Sequence, residues 1–345
     1  MRILLFLNNW GAWQIAKWLR QRREDIVGLV LQPPDDRRFA DEILSALDFP
    51  ADKIWTANQL RDPETLAKLR ELRPDIGISA FFGCILKPEL IQLFPKGCIN
   101  LHAALLPYNR GWHTNVWPII EGSPAGVTIH YIDPGVDTGD IIAQRRIPIE
   151  PTDTGGSLHE KTIRAEVELF KETWPLICEG KNSRTPQDHS KTTGHRKAEV
   201  AEISQIHLDR TYRAGDLINL LRARTYPPYP SAYYVEGEQR TYVRIELLHE
   251  NQLAASEIPQ SVRQSFPHGD LDAEYGAKEF LHLLGIHDSS PNHFVRFTSE
   301  SEPLFVRGYV VDEREFNTDA SPQWMSDFVG RAALAEPVTD RHANR

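Results

Sequence analysis

The sequence predicts an α/β protein: a Rossmann-like, mostly parallel sheet domain followed by a smaller C-terminal α+β, β-rich region. Three features carry this. Strand-length apolar runs alternate with helix-length amphipathic stretches through the first half, a polar stretch without periodicity follows at 181–205, and short strands separated by turns dominate beyond it.

Taken in order, RILLFL at 2–7 reads as a buried strand, followed by a helix over 12–23, the strand DIVGLVL at 25–31, and helices near 40–47 and 63–72. DIGISAFF at 75–82 and CINLHAA at 98–104 are further strands, with a helix starting near Lys87 between them. Continuous apolar strands joined by helices belong to a parallel sheet covered on both faces. AGVTIHYID at 125–133 and GDIIAQRRIPI at 139–149 are also strand-like, and a long helix over 157–178 closes a first domain of residues 1–180. Residues 181–205 read as a linker or surface crossing. Residues 206–248 form a small helix-plus-hairpin module, in which a helix near 214–222 precedes SAYYVEG and TYVRIELL, joined by a glycine-containing turn. Residues 249–345 are an acidic region to which the sequence assigns no role. A similar order of helix, loop and two strands recurs there over 274–312, although the sequences barely match, and a helix candidate at 322–334 precedes a polar tail.

Composition narrows the function classes. A chain of 345 residues, 41% hydrophobic, can bury a sizeable core. No apolar run approaches the roughly 18 residues of a membrane span. The N-terminus, with one Arg, a short apolar run and no small-residue cleavage site, is no export signal, so a cytoplasmic location without a membrane partner is expected. Cys84, Cys98 and Cys178 are widely separated, and His282, His287 and His293 have neither helix-face spacing nor a nearby Cys, so no metal is expected. The 39 Lys+Arg against 48 Asp+Glu give a net charge of -9, and from Glu250 onward 8 basic face 16 acidic side chains. Binding nucleic acid needs a basic face, so that partner is not expected.

Two polar clusters stand out against the apolar strands. Asn100 and His102, two apart in a strand, project to one face at its carboxyl end, where open α/β sheets place ligands. An amide donor beside an imidazole suits stabilising an oxyanion while handling a proton. Asp133-Pro-Gly-Val-Asp137-Thr-Gly-Asp140 is an acidic glycine-rich turn between two strands; a carboxylate reaching His102 would orient its ring. Cys98, on the same face two residues deeper, is the nearest thiol, which favours transfer without a covalent enzyme intermediate. The turn Asn8-Asn9-Trp10-Gly11 lacks Gly-x-Gly-x-x-Gly and so disfavours a nicotinamide cofactor; its asparagines serve either as helix caps or as substrate contacts.

INLHAALLPYNRG at 99–111 followed by AGVTIHYIDPGVDTGDIIAQ at 125–144 resembles the 10-formyltetrahydrofolate-dependent formyltransferases. FLNNWGAW, FFGCILKPELIQLFPKGCINLH, LPYNRGWHTNVWPIIEGSPAGVTIHYID and LDRTYRAGDLINLLRARTYPPYPSAYY are similar to the branch that formylates nucleotide-linked amino sugars. The resemblance implies catalytic roles for Asn100, His102 and Asp137, and N10-formyltetrahydrofolate as co-substrate. The donor would bind along Phe82, Gly83, Ile85, Leu86, Lys87, Leu105, Leu106, Pro107, Asp133 and Gly135. It also implies a nucleotide-sugar acceptor, for which Asn9, Trp10, Tyr108, Trp117, Tyr226 and Tyr229 offer stacking or polar contacts, with His113 a further aromatic candidate. Arg110, Arg222 and Arg224 offer planar donors to a diphosphate. Similar sugar formyltransferases are often dimers, so a homodimer with the C-terminal strands as interface is expected.

Overall fold

The computed structural model describes residues 1–256, 258–286, 293–298 and 302–325. In chain order, β1 (Arg2–Leu7) leads into α1 (Asn9–Gln21), β2 (Asp25–Leu31) into α2 (Ala40–Leu47), and β3 (Ile54–Thr56) into α3 (Pro63–Glu71). β4 (Ile76–Ala80), α4 (Pro88–Ile91), β5 (Cys98–His102), the two-residue β6 (Arg110–Gly111), α5 (Trp117–Glu121), β7 (Ala125–Tyr131), β8 (Ile141–Ile147) and α6 (Gly155–Glu179) follow. The sheet runs β3-β2-β1-β4-β5-β7-β8. Its first five strands are parallel, while β7 and β8 pair antiparallel at one edge. Three elements, β3, β6 and α5, have no counterpart in the expected pattern, being too short to show a period.

Strands buried on both faces explain the unbroken apolar runs. Ile3, Leu5, Ile78 and Ile99 pack with Ile163, Phe170 and Trp174 of α6 and with Ile15 and Leu19 of α1. On the other face Leu4, Phe6 and Cys98 pack with Leu69, Leu90 and Phe94. Helix α6 starts at a capping box, in which the Thr154 hydroxyl accepts from the Ser157 amide, and ends at Gly180 with φ 67.

Glu166 sits in the middle of α6, fully buried, with neither carboxyl oxygen hydrogen-bonded. Burial raises its pKa well above the usual carboxyl value, so it is protonated in the fold. A folded-state pKa raised above the unfolded one costs stability as pH rises past about 4.3, the unfolded value. Glu166→Gln is therefore expected to stabilise the protein at pH 8 by roughly 1–3 kcal/mol, with the gain shrinking towards pH 4. Thermal melts of the two proteins at both pH values check this, and equal midpoints at pH 8 would contradict it.

Between the domains, β9 (Gly194–His195) and α7 (Glu199–Ile203) occupy the stretch read as a crossing. The C-terminal part contains β10 (Gln205–Ile206), β11 (Thr211–Arg213), α8 (Ala214–Ala223), β12 (Ala232–Glu236) and β13 (Gln239–His249). After α9 (Glu250–Ala254) and α10 (Gln260–Arg263) come β14 (His268–Asp270), β15 (Glu274–Gly276), α11 (Ala277–Leu283), β16 (Val295–Thr298) and β17 (Leu304–Val311). One six-stranded sheet, β10-β12-β13-β17-β16-β14, holds both parts, so the region after 249 is not a separate unit: its strands complete the hairpin's sheet. The chain then returns to the first domain, where Trp324 meets the Trp10 ring edge-on at 5.3 Å and Met325 is buried in the core. The helix expected at 322–334 lies largely outside the described residues, as does His287. Among the described residues no helix is long and apolar enough to cross a membrane, and no His, Cys, Asp or Glu cluster is placed to hold a metal ion.

Candidate active site

The sheet order reverses between β1 and β4, and the carboxyl ends of strands diverging at such a point leave a crevice. Asn9 after β1 and Phe81 after β4 flank it, both in left-handed backbone with φ 77 and 56. A Cβ on Gly11 would lie 2.3 Å from a carbon of the Phe81 ring, so a side chain there would displace that ring from its place beside the crevice. The cavity measures about 360 Å³ and is lined by Asn9, Ser79, Phe81, Asn100, His102 and Asp137, among others.

Asn100 and His102 share a face of β5, and Asp137 comes over from the β7–β8 turn in left-handed backbone, φ 52. Asp137 Oδ2 stands 3.7 Å from His102 Nε2, and Oδ1 3.7 Å from Nε2 of His130. His130, on β7 opposite Asn100, is a residue the sequence reading missed. Its Nδ1 lies 2.8 Å from the Tyr131 carbonyl, which can only accept, so Nδ1 carries the proton and Nε2 is an acceptor. The Asn100 carboxamide nitrogen donates to that Nε2 at 3.3 Å, which fixes the amide and leaves its second N–H free. Burial lowers the His130 pKa to about 4, so this imidazole is neutral. Burial by itself would raise Asp137, but His102, His130, the Gly111 amide and Arg110 together hold it below the ordinary carboxyl value. The carboxylate is ionised at neutral pH. Beneath the cluster Cys98 is fully buried and its thiol is pushed up by desolvation, so it stays protonated and is no nucleophile.

The stretch read as a linker pins this constellation. β9 pairs in parallel with β6. The buried Gln187 donates from Nε2 to the carbonyls of Asp137 (2.9 Å) and Gly139 (2.7 Å), while its Oε1 accepts from Arg110 at 2.6 Å. The Gly111 amide, next in the chain, donates to Asp137 Oδ2 at 2.9 Å. Asp137 is thus held by backbone and carboxylate through one hydrogen-bonded circuit, which stabilises a left-handed conformation that is unfavourable for a residue bearing a Cβ.

On the other wall, Phe82, Gly83, Ile85 and Leu86 line the cavity with Asp133 and Gly135. Ile85, Trp112 and Val136, three of the exposed large apolar residues, ring its mouth, and His159 reaches it from α6. Several expected site residues lie elsewhere. Lys87 is the residue before α4 and does not line the cavity. Leu105 packs on Gly126, the Leu106 amide donates to the Thr128 hydroxyl, and neither they nor Pro107 line the cavity. Trp10 is buried against Trp324 and Arg164, and Trp117 stacks on His195 at 3.8 Å. Tyr108 is half-buried outside the cavity. Arg110 is committed to Gln187 and His189, Arg222 to the carbonyls of Glu150, Pro151 and Asp153, and Arg224 donates to Pro230. Tyr226 sits in a second layer, 5.2 Å from His159 and 4.8 Å from Tyr229. Asn8 is a structural stitch, accepting from the Arg38 amide.

A switch-point crevice holding an oriented amide, an imidazole and an ionised carboxylate above a protonated thiol defines a group-transfer enzyme of the α/β class. The chain belongs to the formyl transferase family and is an N-formyltransferase: the family's formyl transferase domain matches residues 10–173, and its N-formyltransferase dimerization C-terminal domain matches residues 199–249. The methionyl-tRNA formyltransferase of Acetivibrio thermocellus is 30% identical over 257 residues, spanning 73% of this chain and 82% of that one. Among solved structures, a 4-N formyltransferase from Francisella tularensis superimposes with a TM-score of 0.62 at 26% identity, covering 71% of this chain and 97% of that one. A Mycobacterium tuberculosis protein put forward as a sugar N-formyltransferase gives 0.60 at 28%, covering 70% and 96%.

Proposed function

We propose that the enzyme moves the formyl group of N10-formyltetrahydrofolate to the primary amine of a nucleotide-linked amino deoxysugar, such as a dTDP-3- or 4-amino-dideoxyhexose. The neutral amine attacks the formyl carbon, and the resulting oxyanion is held by the free Asn100 N–H and by His102. The carbon–N10 bond breaks as a proton passes from the attacking nitrogen to N10, with Asp137 orienting His102 and supporting its charged form. A pterin would lie between the apolar side chains of Ile85, Leu86 and Val136, with the backbone around Gly83 and Gly135 meeting its polar edge.

The observation that carries the acceptor is the likeness to the Mycobacterium protein over nearly its whole length, together with a C-terminal part too acidic to track an RNA backbone. Lys197 Nζ lies 5.0 Å from the ring centre of Trp112, which lines the cavity with Thr114, and an ammonium there suits a diphosphate. Methionyl-tRNA is the second reading, favoured by the 30% identity to the Acetivibrio enzyme. Supplying N10-formyltetrahydrofolate with either dTDP-amino sugars or Met-tRNA and following tetrahydrofolate release separates the two. Turnover with the sugars and none with Met-tRNA is expected; the reverse would sink the sugar reading.

A further inference from the structure

The C-terminal sheet is built twice. A shift of 63 positions carries the pair Gln205–Tyr233 onto His268–Arg296 and the pair Ala232–Val243 onto Val295–Val306. It relates β10, β11, α8, β12 and β13 to β14, β15, α11, β16 and β17 without a net insertion. The strand order β10-β12-β13-β17-β16-β14 is therefore symmetric about its centre.

Contacts between the halves are reciprocal under the same shift. Tyr242 pairs with Val311 and its counterpart Phe305 with Leu248; Thr211 pairs with Gly276 and its counterpart Glu274 with Arg213. The Ala214 amide donates to Ala273, and the Ala277 amide to Arg210. Tyr212 and Tyr275, equivalent to each other, pair directly on the axis. Residue i meeting j while j's counterpart meets i's is what a two-fold interface between identical subunits requires.

What the halves share and what they do not follows the same division. Tyr212/Tyr275, Ala214/Ala277 and Leu221/Leu284 are identical and lie at the mutual contact or in the common core, as do Val243/Val306. Arg222, which fastens the first half to three carbonyls of the catalytic domain, corresponds to Gly285. The second half retains the surface that faces its twin and lacks the anchor to a catalytic domain. The outer strands of the sheet, β10 and β14, have two and three residues, too short an edge for strand addition by another molecule.

We infer that the second half is a second copy of the dimerization domain, docked on the first within one chain, so that the enzyme is a pseudo-dimer with a single active site and works as a monomer. The partner that the sequence led us to expect in another subunit is supplied in cis.

Sedimentation equilibrium of the full chain over a range of concentrations is expected to give the mass of one chain, 39.4 kDa, throughout. A two-chain mass would overturn the inference. A second measurement reads the pairing itself. Glu246 and Arg307 face each other across β13 and β17 with a 2.7 Å ion pair, close enough for a disulfide after Glu246→Cys with Arg307→Cys. Oxidised and run unreduced in denaturant beside the two variants that carry one new cysteine each, the double variant is expected at one-chain mobility with both new thiols consumed. A two-chain band specific to the double variant would mean the second half docks on another molecule, and would equally overturn it.

Discussion

His102→Ala is expected to lower turnover by about a hundredfold or more at saturating substrates, with KM for the folate donor little changed. In the proposed mechanism His102 is one of the two groups that meet the oxyanion and the group nearest the migrating proton, so its loss would fall on the transition state rather than on ground-state binding. The fold should survive. The ring's Nε2 has as neighbours the Asn109 carbonyl at 3.4 Å and Asp137 at 3.7 Å, and Asp137 keeps its bond from the Gly111 amide when the ring is gone. Tetrahydrofolate release and the melting midpoint of the variant measure both halves of this statement. Near-normal turnover in a folded variant would remove His102 from the mechanism, and a collapsed melt would mean that the ring is chiefly structural.

Part of the site was legible because strand alternation is a strict period. Asn100 and His102 had to share a face once 98–102 was a strand, whatever the fold around it. His130 obeys the same rule on β7, yet in sequence it is one His in an apolar strand, and only the antiparallel register opposite Asn100 reveals it. Gln187 is hidden more deeply. It sits in a polar stretch with no period, and its importance comes from two carbonyls about fifty positions away. Arginines and aromatics were the weakest guide. Arg110, Arg222 and Trp117 look like ligand contacts by residue type, but backbone carbonyls, Gln187 and the His195 ring claim them first.

The parallel sheet was readable from unbroken apolar strands, since burial on both faces leaves no room for polar alternation. The repeat was not. Its halves agree at positions that pack and differ nearly everywhere else, because a sheet and two helices tolerate many apolar sequences of similar volume. A similar order of helix, loop and two strands in 206–248 and over 274–312 was the visible trace; the constant shift and the reciprocal pairing become evident only when register is known.

Asp137→Asn separates geometry from charge, and the expected loss is on the order of a thousandfold in kcat. The substitution is isosteric, and Gln187 still binds the backbone carbonyls of 137 and 139, so the turn should retain its shape. What disappears is the negative charge 3.7 Å from His102, which the proposed mechanism uses to support a protonated ring. The carboxamide also brings an N–H that competes for an acceptor, and can turn the imidazole to the wrong tautomer. A pH series adds an independent reading. Asp137 is held below its ordinary pKa, so its ionised form contributes stability that is fully present above about 3.9, the unfolded value, and is lost as pH falls through the lower folded value. The stability gap between the native enzyme and Asp137→Asn should accordingly be open at neutral pH and closed in strong acid, whereas the activity gap at neutral pH should far exceed what that stability difference accounts for. An Asn variant that turns over within tenfold of the native enzyme would show that the carboxylate shapes the turn and takes no part in moving the proton.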